Sequence, residues 1–202
     1  MEQEYKWILP AELDTEELFK SSLISNSITE QKTITMKAIY YDTDNYLFSS
    51  LRGGLRLREE NERRVCCLKL SSKVEGACTL REEYEVDAPD IQAGLAALLE
   101  QYSLDELKQR IDKQKLLETC RTEFIRKSFL LEITSGTEIC RGELAVDTGS
   151  LMREDRRALL SELEFEYLDG SVSLFHTFAS GLERTFHLEK QPLSKLARAL
   201  NV

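Results

Sequence analysis

Polar and apolar side chains alternate at every second position through much of this chain. Glu2, Glu4 and Lys6 share one parity, with Gln3 and Tyr5 between them. In an extended segment the side-chain period is two, so each such set lies on one face. The habit recurs at Arg56 and Arg58, at Arg81, Glu83 and Glu85, and at Glu162, Glu164 and Glu166. Strands are predicted near 2–9, 33–42, 54–60, 63–71, 80–87, 119–126, 127–134, 138–147 and 159–168. Between them lie helical patterns. Asp14 can cap a helix carrying Leu18, Leu23 and Ile24, and Asp90 one with Ile91, Leu95, Leu98 and Leu99 on one side. Asp105 to Leu117 reads as a short helix, Val172 to Phe186 as a longer one, and Pro192 suits the first turn of a last helix through Leu200. Gly53-Gly54 and Asp169-Gly170 mark turns. Many strands with helices inserted between groups of them predict an α+β fold closed as an antiparallel barrel.

Composition narrows the partners. With 202 residues and no repeat or low-complexity linker, the chain is expected to form a single domain, 1–202. A net charge of −9 argues against nucleic acid as a partner, although it leaves room for a local basic pocket. The five cysteines, Cys66, Cys67, Cys78, Cys120 and Cys140, are odd in number and lack CxxC spacing, so reduced thiols in a cytoplasmic protein are expected. No signal-like N-terminus and no apolar run of spanning length are read, hence no membrane partner.

The charged rows carry the chemistry. Glu162, Glu164 and Glu166 alternate with Leu163, Phe165 and Tyr167, so three like charges stand about 7 Å apart along a strand. Water, facing cations or bound divalent ions can compensate such a row, and carboxylate oxygens are hard ligands suited to Mg²⁺ or Mn²⁺. Arg56, Arg58, Lys69 and Arg81 sit in comparable alternation. Guanidinium groups bind phosphate oxygens in a bidentate fork, and ammonium groups bind them as compact charges. A pocket uniting both rows would hold one end of a polyphosphate on cations and neutralise the other through metal. An exposed sheet face laced with cross-strand ion pairs fits the same pattern, and the rows alone leave both readings open.

Glu2-x-Glu4-x-Lys6 resembles the ExExK signature of the CYTH superfamily, the triphosphate tunnel metalloenzymes. Further segments follow in the family's order: Tyr40-Tyr41-Asp42-Thr43 with Leu47, Leu55-Arg56-Leu57-Arg58, Leu68-Lys69, Arg81-x-Glu83-x-Glu85, Arg121, Asp147, the Glu162/Glu164/Glu166 row and Ser194-Lys195. This resemblance implies an eight-stranded antiparallel β-barrel forming a tunnel, charged inside, with helices packed outside. It implies that Lys6, Arg56, Arg58, Lys69, Arg81, Arg121 and Lys195 bind a small-molecule triphosphate. Glu2, Glu4, Glu162, Glu164 and Glu166 would supply ligands for Mg²⁺ or Mn²⁺, while Glu83, Glu85 and Asp147 would line the tunnel, as further metal ligands or as orienters of its cations. Lys190 is a further, weaker candidate from the C-terminal segment. Glu2, Glu4, Lys6 and Lys69 are the residues expected nearest the chemistry. Many members carry Lys two residues before the Arg matched here to Arg121, where this chain has Thr119.

The resulting expectation is metal-assisted hydrolysis of a phosphoanhydride, with inorganic triphosphate the leading substrate and pyrophosphate and phosphate the products. A thiamine- or nucleoside-triphosphatase, an adenylate cyclase, and a non-catalytic polyphosphate- or nucleotide-binding module are the alternatives. A homodimer is the commonest assembly. His176 and His187 have no part in the pattern and are read as packing or surface residues, Cys66-Cys67 as strand packing, and Trp7 as packed outside under a helix.

Overall fold

The computed structural model describes the backbone of residues 2–75 and 78–202, and the side chains of these except at Glu2 and 71–81. Strands β1 (Glu2–Ile8), β2 (Ile28–Thr43), β3 (Gly54–Glu60), β4 (Arg63–Glu75), β5 (Cys78–Asp87), β6 (Leu116–Ser135), β7 (Glu138–Arg153), β8 (Arg156–Gly170) and β9 (Glu189–Lys190) form one antiparallel sheet. Its order is β5-β4-β3-β2-β6-β7-β8-β1-β9. β1 also pairs with β5, from Glu2 opposite Arg81 to Glu4 opposite Thr79. Eight strands therefore curl round until first and last meet, and the sheet acquires an inner and an outer face.

Strand parity decides what each face carries. On β1, Glu4 and Lys6 point inward, while Tyr5 and Trp7 point outward into an apolar cluster with Leu144, Val146, Leu163 and Phe165. Helices α1 (Thr15–Lys20), α2 (Ser22–Ser25) and α6 (Val172–Phe186) cover this cluster with Leu18, Phe19, Ile24, Phe175, Phe178, Ala179 and Leu182. The α6 set recurs at i, i+3, i+4 and i+7, one stripe of a helix. Trp7 is fully buried there and its indole N–H donates to Glu183 at 2.8 Å. His176 meets the Tyr5 hydroxyl at 2.8 Å, and His187 ends α6 in the left-handed region at φ 51°.

A second outer cluster joins Leu55, Cys66 and Leu68 to α3 (Leu47–Ser50), α4 (Ile91–Gln101) and α5 (Asp105–Ile111). Gly94 makes the α4–β4 contact close: a Cβ there would lie 2.2 Å from that of Cys66. Asp42 fixes the start of α3, its carboxylate accepting from the backbone N–H groups of Thr43, Phe48 and Ser49 and from the Ser49 hydroxyl at 2.6–3.0 Å.

The inner face is apolar at one end. Met36, Ala38, Tyr40, Cys120, Phe124, Leu151 and Leu160 pack there against Leu196, Ala199 and Leu200 of the C-terminal segment, which carries α7 (Lys195–Ala199). That helix starts at Lys195, after Pro192 rather than with Pro192 in its first turn, and Ser194 caps it, accepting from the Ala197 N–H at 3.1 Å. Two other boundaries differ from expectation. The strands predicted at 119–126 and 127–134 are one continuous β6, because β2 and β7 pair along its length. The helix after Asp105 stops at Ile111, since Leu116 and Leu117 join the ladder with β2. No helix among the described residues is long and apolar enough to cross a membrane.

Candidate functional site

The inner face encloses a cavity of about 510 Å³. Lys6, Arg52, Arg56, Arg58, Lys69, Arg126 and Lys195 supply its cationic lining, and Glu4, Glu60, Glu83, Glu85, Glu143, Glu164 and Glu166 its anionic lining. Alternation explains the set: on β3 the leucines 55 and 57 face the outer helices, so arginines 56 and 58 must face inward.

On the β3–β4–β5 side, Glu83 is shared by two cations, Arg56 Nη2 at 3.5 Å and Lys69 Nζ at 3.0 Å. Arg58 lies 2.9 Å from Glu85 and 2.6 Å from Glu60. Behind them Cys67 donates its S–H to Glu83 at 2.9 Å, and burial pushes that thiol up to about 12. On the β1–β8 side, Lys6 Nζ stands 3.2 Å from Glu4 and 3.7 Å from Glu164. The ladder sets Glu4 opposite Glu166 and Lys6 opposite Glu164.

The third wall centres on a residue that the sequence reading passed over. Arg126 projects from β6 and binds Asp147 with both ends of its fork, Nε to Oδ1 at 2.8 Å and Nη2 to Oδ2 at 2.7 Å, while Nη2 also reaches Glu164 at 2.5 Å. Arg121 was expected in this role, but it has the opposite parity. Its side chain is 54% exposed on the outer face and donates to Glu118 at 2.8 Å. Inward-facing Thr122, Phe124 and Arg126 form the lining at this strand. The available signal was Phe129, Leu131 and Ile133, whose odd parity marks the outer, helix-covered face of β6 and sends the even positions inward. The residue two before the inward arginine is thus Phe124, whose ring lies 5.2 Å from Lys195 Nζ and 6.0 Å from the Arg126 guanidinium.

Lys195 enters from α7. Its ammonium sits 2.7 Å from Asp147 and 2.9 Å from Glu164, and also contacts Glu162, which in turn holds Arg198. Asp147, Glu162 and Glu164 are close enough together to chelate a metal ion, yet an ammonium already stands among them. Glu162 and Asp147 are fully buried and do not line the cavity. Glu162, expected as a metal ligand, pairs here with Lys195 and Arg198 of α7 and stays within the carboxylate group close enough to hold an ion, while Asp147 pairs with both Arg126 and Lys195. Burial alone would raise the Glu164 carboxyl, but the charges of Lys195, Arg126 and Lys6 outweigh it and hold the group well below the ordinary range. Burial alone would lower the Lys195 ammonium, and Asp147, Glu164 and Glu162 reverse the sign and raise it.

Of the expected residues, the structure gathers Glu4, Lys6, Arg56, Arg58, Lys69, Glu83, Glu85, Glu164, Glu166 and Lys195 around one cavity. The side chains of Glu2 and Arg81 lie outside the described residues. Lys190 pairs with Trp7 on β9, and its side chain is exposed away from the cavity lining. Glu4, Glu164 and Glu166 bring hard oxygen donors to the cavity from two adjacent strands, while the groups whose ligand atoms lie within 4.8 Å of one another are Asp147, Glu162 and Glu164 and, on the facing side, Cys67, Glu83 and Glu85.

A curled antiparallel sheet with helices outside and a densely charged cavity inside defines a tunnel-type α+β protein. The chain belongs to the CYTH domain family, whose model matches residues 1–200. It is 26% identical over 157 residues to an inorganic triphosphatase of Haemophilus influenzae, a match that covers 77% of this chain and 42% of that protein, so the chain spans less than half of its relative. Among solved structures, the fold resembles a putative adenylyl cyclase from Hippeastrum, HpAC1, described as having a dominant triphosphatase activity. The TM-score is 0.62 at 19% identity, covering 100% of this chain and 96% of that one. The PH1819 protein of Pyrococcus horikoshii has a TM-score of 0.59 at 18% identity, covering 100% of this chain and 99% of that one.

Proposed function

We propose that this protein hydrolyses a phosphoanhydride bond of a triphosphate, with inorganic triphosphate as substrate and pyrophosphate and phosphate as products. The observation that carries the reading is the cavity itself, where Lys6, Arg56, Arg58, Lys69 and Arg126 converge on one space with Glu4, Glu164 and Glu166. A polyanion held there exchanges the internal carboxylate partners of these cations for phosphoryl oxygens, so little reorganisation accompanies the charge shift in the reaction. Arg56, Arg58 and Lys69 bind and align the phosphates from one wall, and Arg126 and Lys195 from another. Glu83, Glu85 and Asp147 keep those cations pointed inward. Bound by Glu4, Glu164 and Glu166, Mg²⁺ or Mn²⁺ would neutralise phosphoryl oxygens and lower the pKa of a water ligand. Glu4, beside Lys6, would accept a proton from an attacking water.

The triphosphatase relatives support the same activity, at an identity that leaves the substrate to experiment. Phosphate release from purified protein, comparing inorganic triphosphate, thiamine triphosphate and ATP with Mg²⁺, Mn²⁺ or EDTA, tests it. Metal-dependent turnover strongest on inorganic triphosphate is the expected result, and a folded protein silent on all three would overturn it. Cyclic AMP formed from ATP would instead mark a cyclase.

A further inference from the structure

Each cation lining the cavity has a carboxylate within 4.0 Å, with one exception among the described residues, Arg52. Its position follows from local chemistry. Asp42 pins the start of α3, and the chain then leaves that helix in a turn closed by the Arg52 N–H on the Ser49 carbonyl at 3.0 Å and the Gly53 N–H on the Phe48 carbonyl at 2.9 Å. Arg52 itself adopts φ 52°, in the left-handed region. A side chain at position 53 would bring its Cβ to 2.5 Å from the Lys69 carbonyl oxygen, so only glycine lets the turn lie against β4 there. The turn thus presents a solvent-exposed guanidinium, without a carboxylate partner among the described residues, to the cavity lining where the chain lies against Lys69.

We propose that Arg52 selects for a free terminal phosphoryl group over an esterified phosphate at this end of the site, an assignment that rests on the triphosphatase reading. A terminal phosphoryl group offers three acceptor oxygens and a charge approaching −2. A phosphate carrying an organic ester offers fewer oxygens and less charge, and its substituent would crowd the guanidinium. Arg56 and Lys69 already share Glu83, so they are less able to make this distinction. Arg52 brings charge that no carboxylate among the described residues pairs with, and its planar fork matches terminal oxygens in pairs.

The test is kcat/KM for inorganic triphosphate and for ATP with wild type, Arg52→Ala and Arg52→Gly, glycine preserving the left-handed backbone. Both variants should lose about tenfold or more on inorganic triphosphate and change by less than about twofold on ATP. Equal losses on the two substrates, or none on inorganic triphosphate, would overturn the assignment. Calorimetric binding of inorganic triphosphate and ATP in EDTA reads the same preference without turnover. A wild-type protein that hydrolyses neither substrate would remove the hydrolase reading. Arg52 would still stand if its variants lost the preference for inorganic triphosphate in binding, and would fall if the preference were unchanged.

Discussion

Glu4 faces Glu166 directly across the β1–β8 ladder, and both side chains line the cavity. Like charges opposite one another weaken a strand pair unless positive charge lies between or beside them. The adjoining pair, Lys6 opposite Glu164, carries that charge in part. In the proposed reaction a divalent ion held by these carboxylates would add further positive charge. Glu4→Gln and Glu166→Gln should each raise the Mg²⁺ or Mn²⁺ concentration for half-maximal phosphate release by about tenfold or more. Titrating metal into the two variants checks this, and an unchanged midpoint in both would move the ion elsewhere.

Two arginines on one strand make a contrasting pair. Arg126→Ala should lower turnover about 10²-fold or more if its contact tightens in the transition state. Arg121→Ala, which removes an outward side chain paired to Glu118, should leave turnover within about twofold of wild type, as expected of an exposed ion pair. Steady-state kinetics of the two variants side by side decide between the faces of β6.

That contrast also shows what could be read from the chain and what could not. Glu4, Lys6, Arg56 and Arg58 were legible because apolar neighbours of opposite parity fix which way they point. Around Arg121 the chain reads Cys-Arg-Thr-Glu-Phe-Ile-Arg, where Ile125 is 51% exposed on the uncovered outer face and Phe124 is buried inside. Here the usual link between apolar character and the helix-covered face is reversed, so parity gave no check on matching Arg121 to the family's arginine. The ion pairs of Glu162 were hidden for another reason. Its partners Lys195 and Arg198 lie more than thirty positions away and meet it only because α7 closes one end of the curled sheet.

Asp42 supports the site from a distance. Its carboxylate accepts four hydrogen bonds at the start of α3 and is 4% exposed. Asp42→Ala strands those donors and should cost about 2–4 kcal/mol of stability. Urea unfolding of the variant measures this. Because the same helix leads into the Arg52 turn, affinity for triphosphate should fall along with stability.

The cysteines carry a prediction about alkali. Burial pushes the Cys67 and Cys66 thiols up to about 12 and Cys120 up to about 11, against 9.0 for an exposed thiol. The native state therefore keeps its protons while an unfolded chain loses them above about pH 9, so the folded form binds more protons there and stability falls as pH rises. Stability should be flat in this respect below about pH 9 and decline above it. Replacing Cys67 by Ser should flatten that decline in part. At pH 8 the same thiols should resist alkylation in the native protein and react once it is unfolded, which mass spectrometry after iodoacetamide treatment can follow.

Lys195 ties the C-terminal helix to the buried acids, and its removal separates structural from chemical roles. In Lys195→Met, Asp147 keeps Arg126 and Glu162 keeps Arg198, but the three carboxylates lose the ammonium they share. Breaking a buried pair while leaving its partner charged costs about 3–5 kcal/mol. Lys195→Met should therefore be strongly destabilised at neutral pH, and much less so when Glu162→Gln removes one of the unpaired charges. A double-mutant cycle by urea unfolding measures the coupling. If Lys195 also grips phosphate, the double variant, though restored in stability, should remain slow on triphosphate. Recovery of both properties together would confine Lys195 to holding α7 in place.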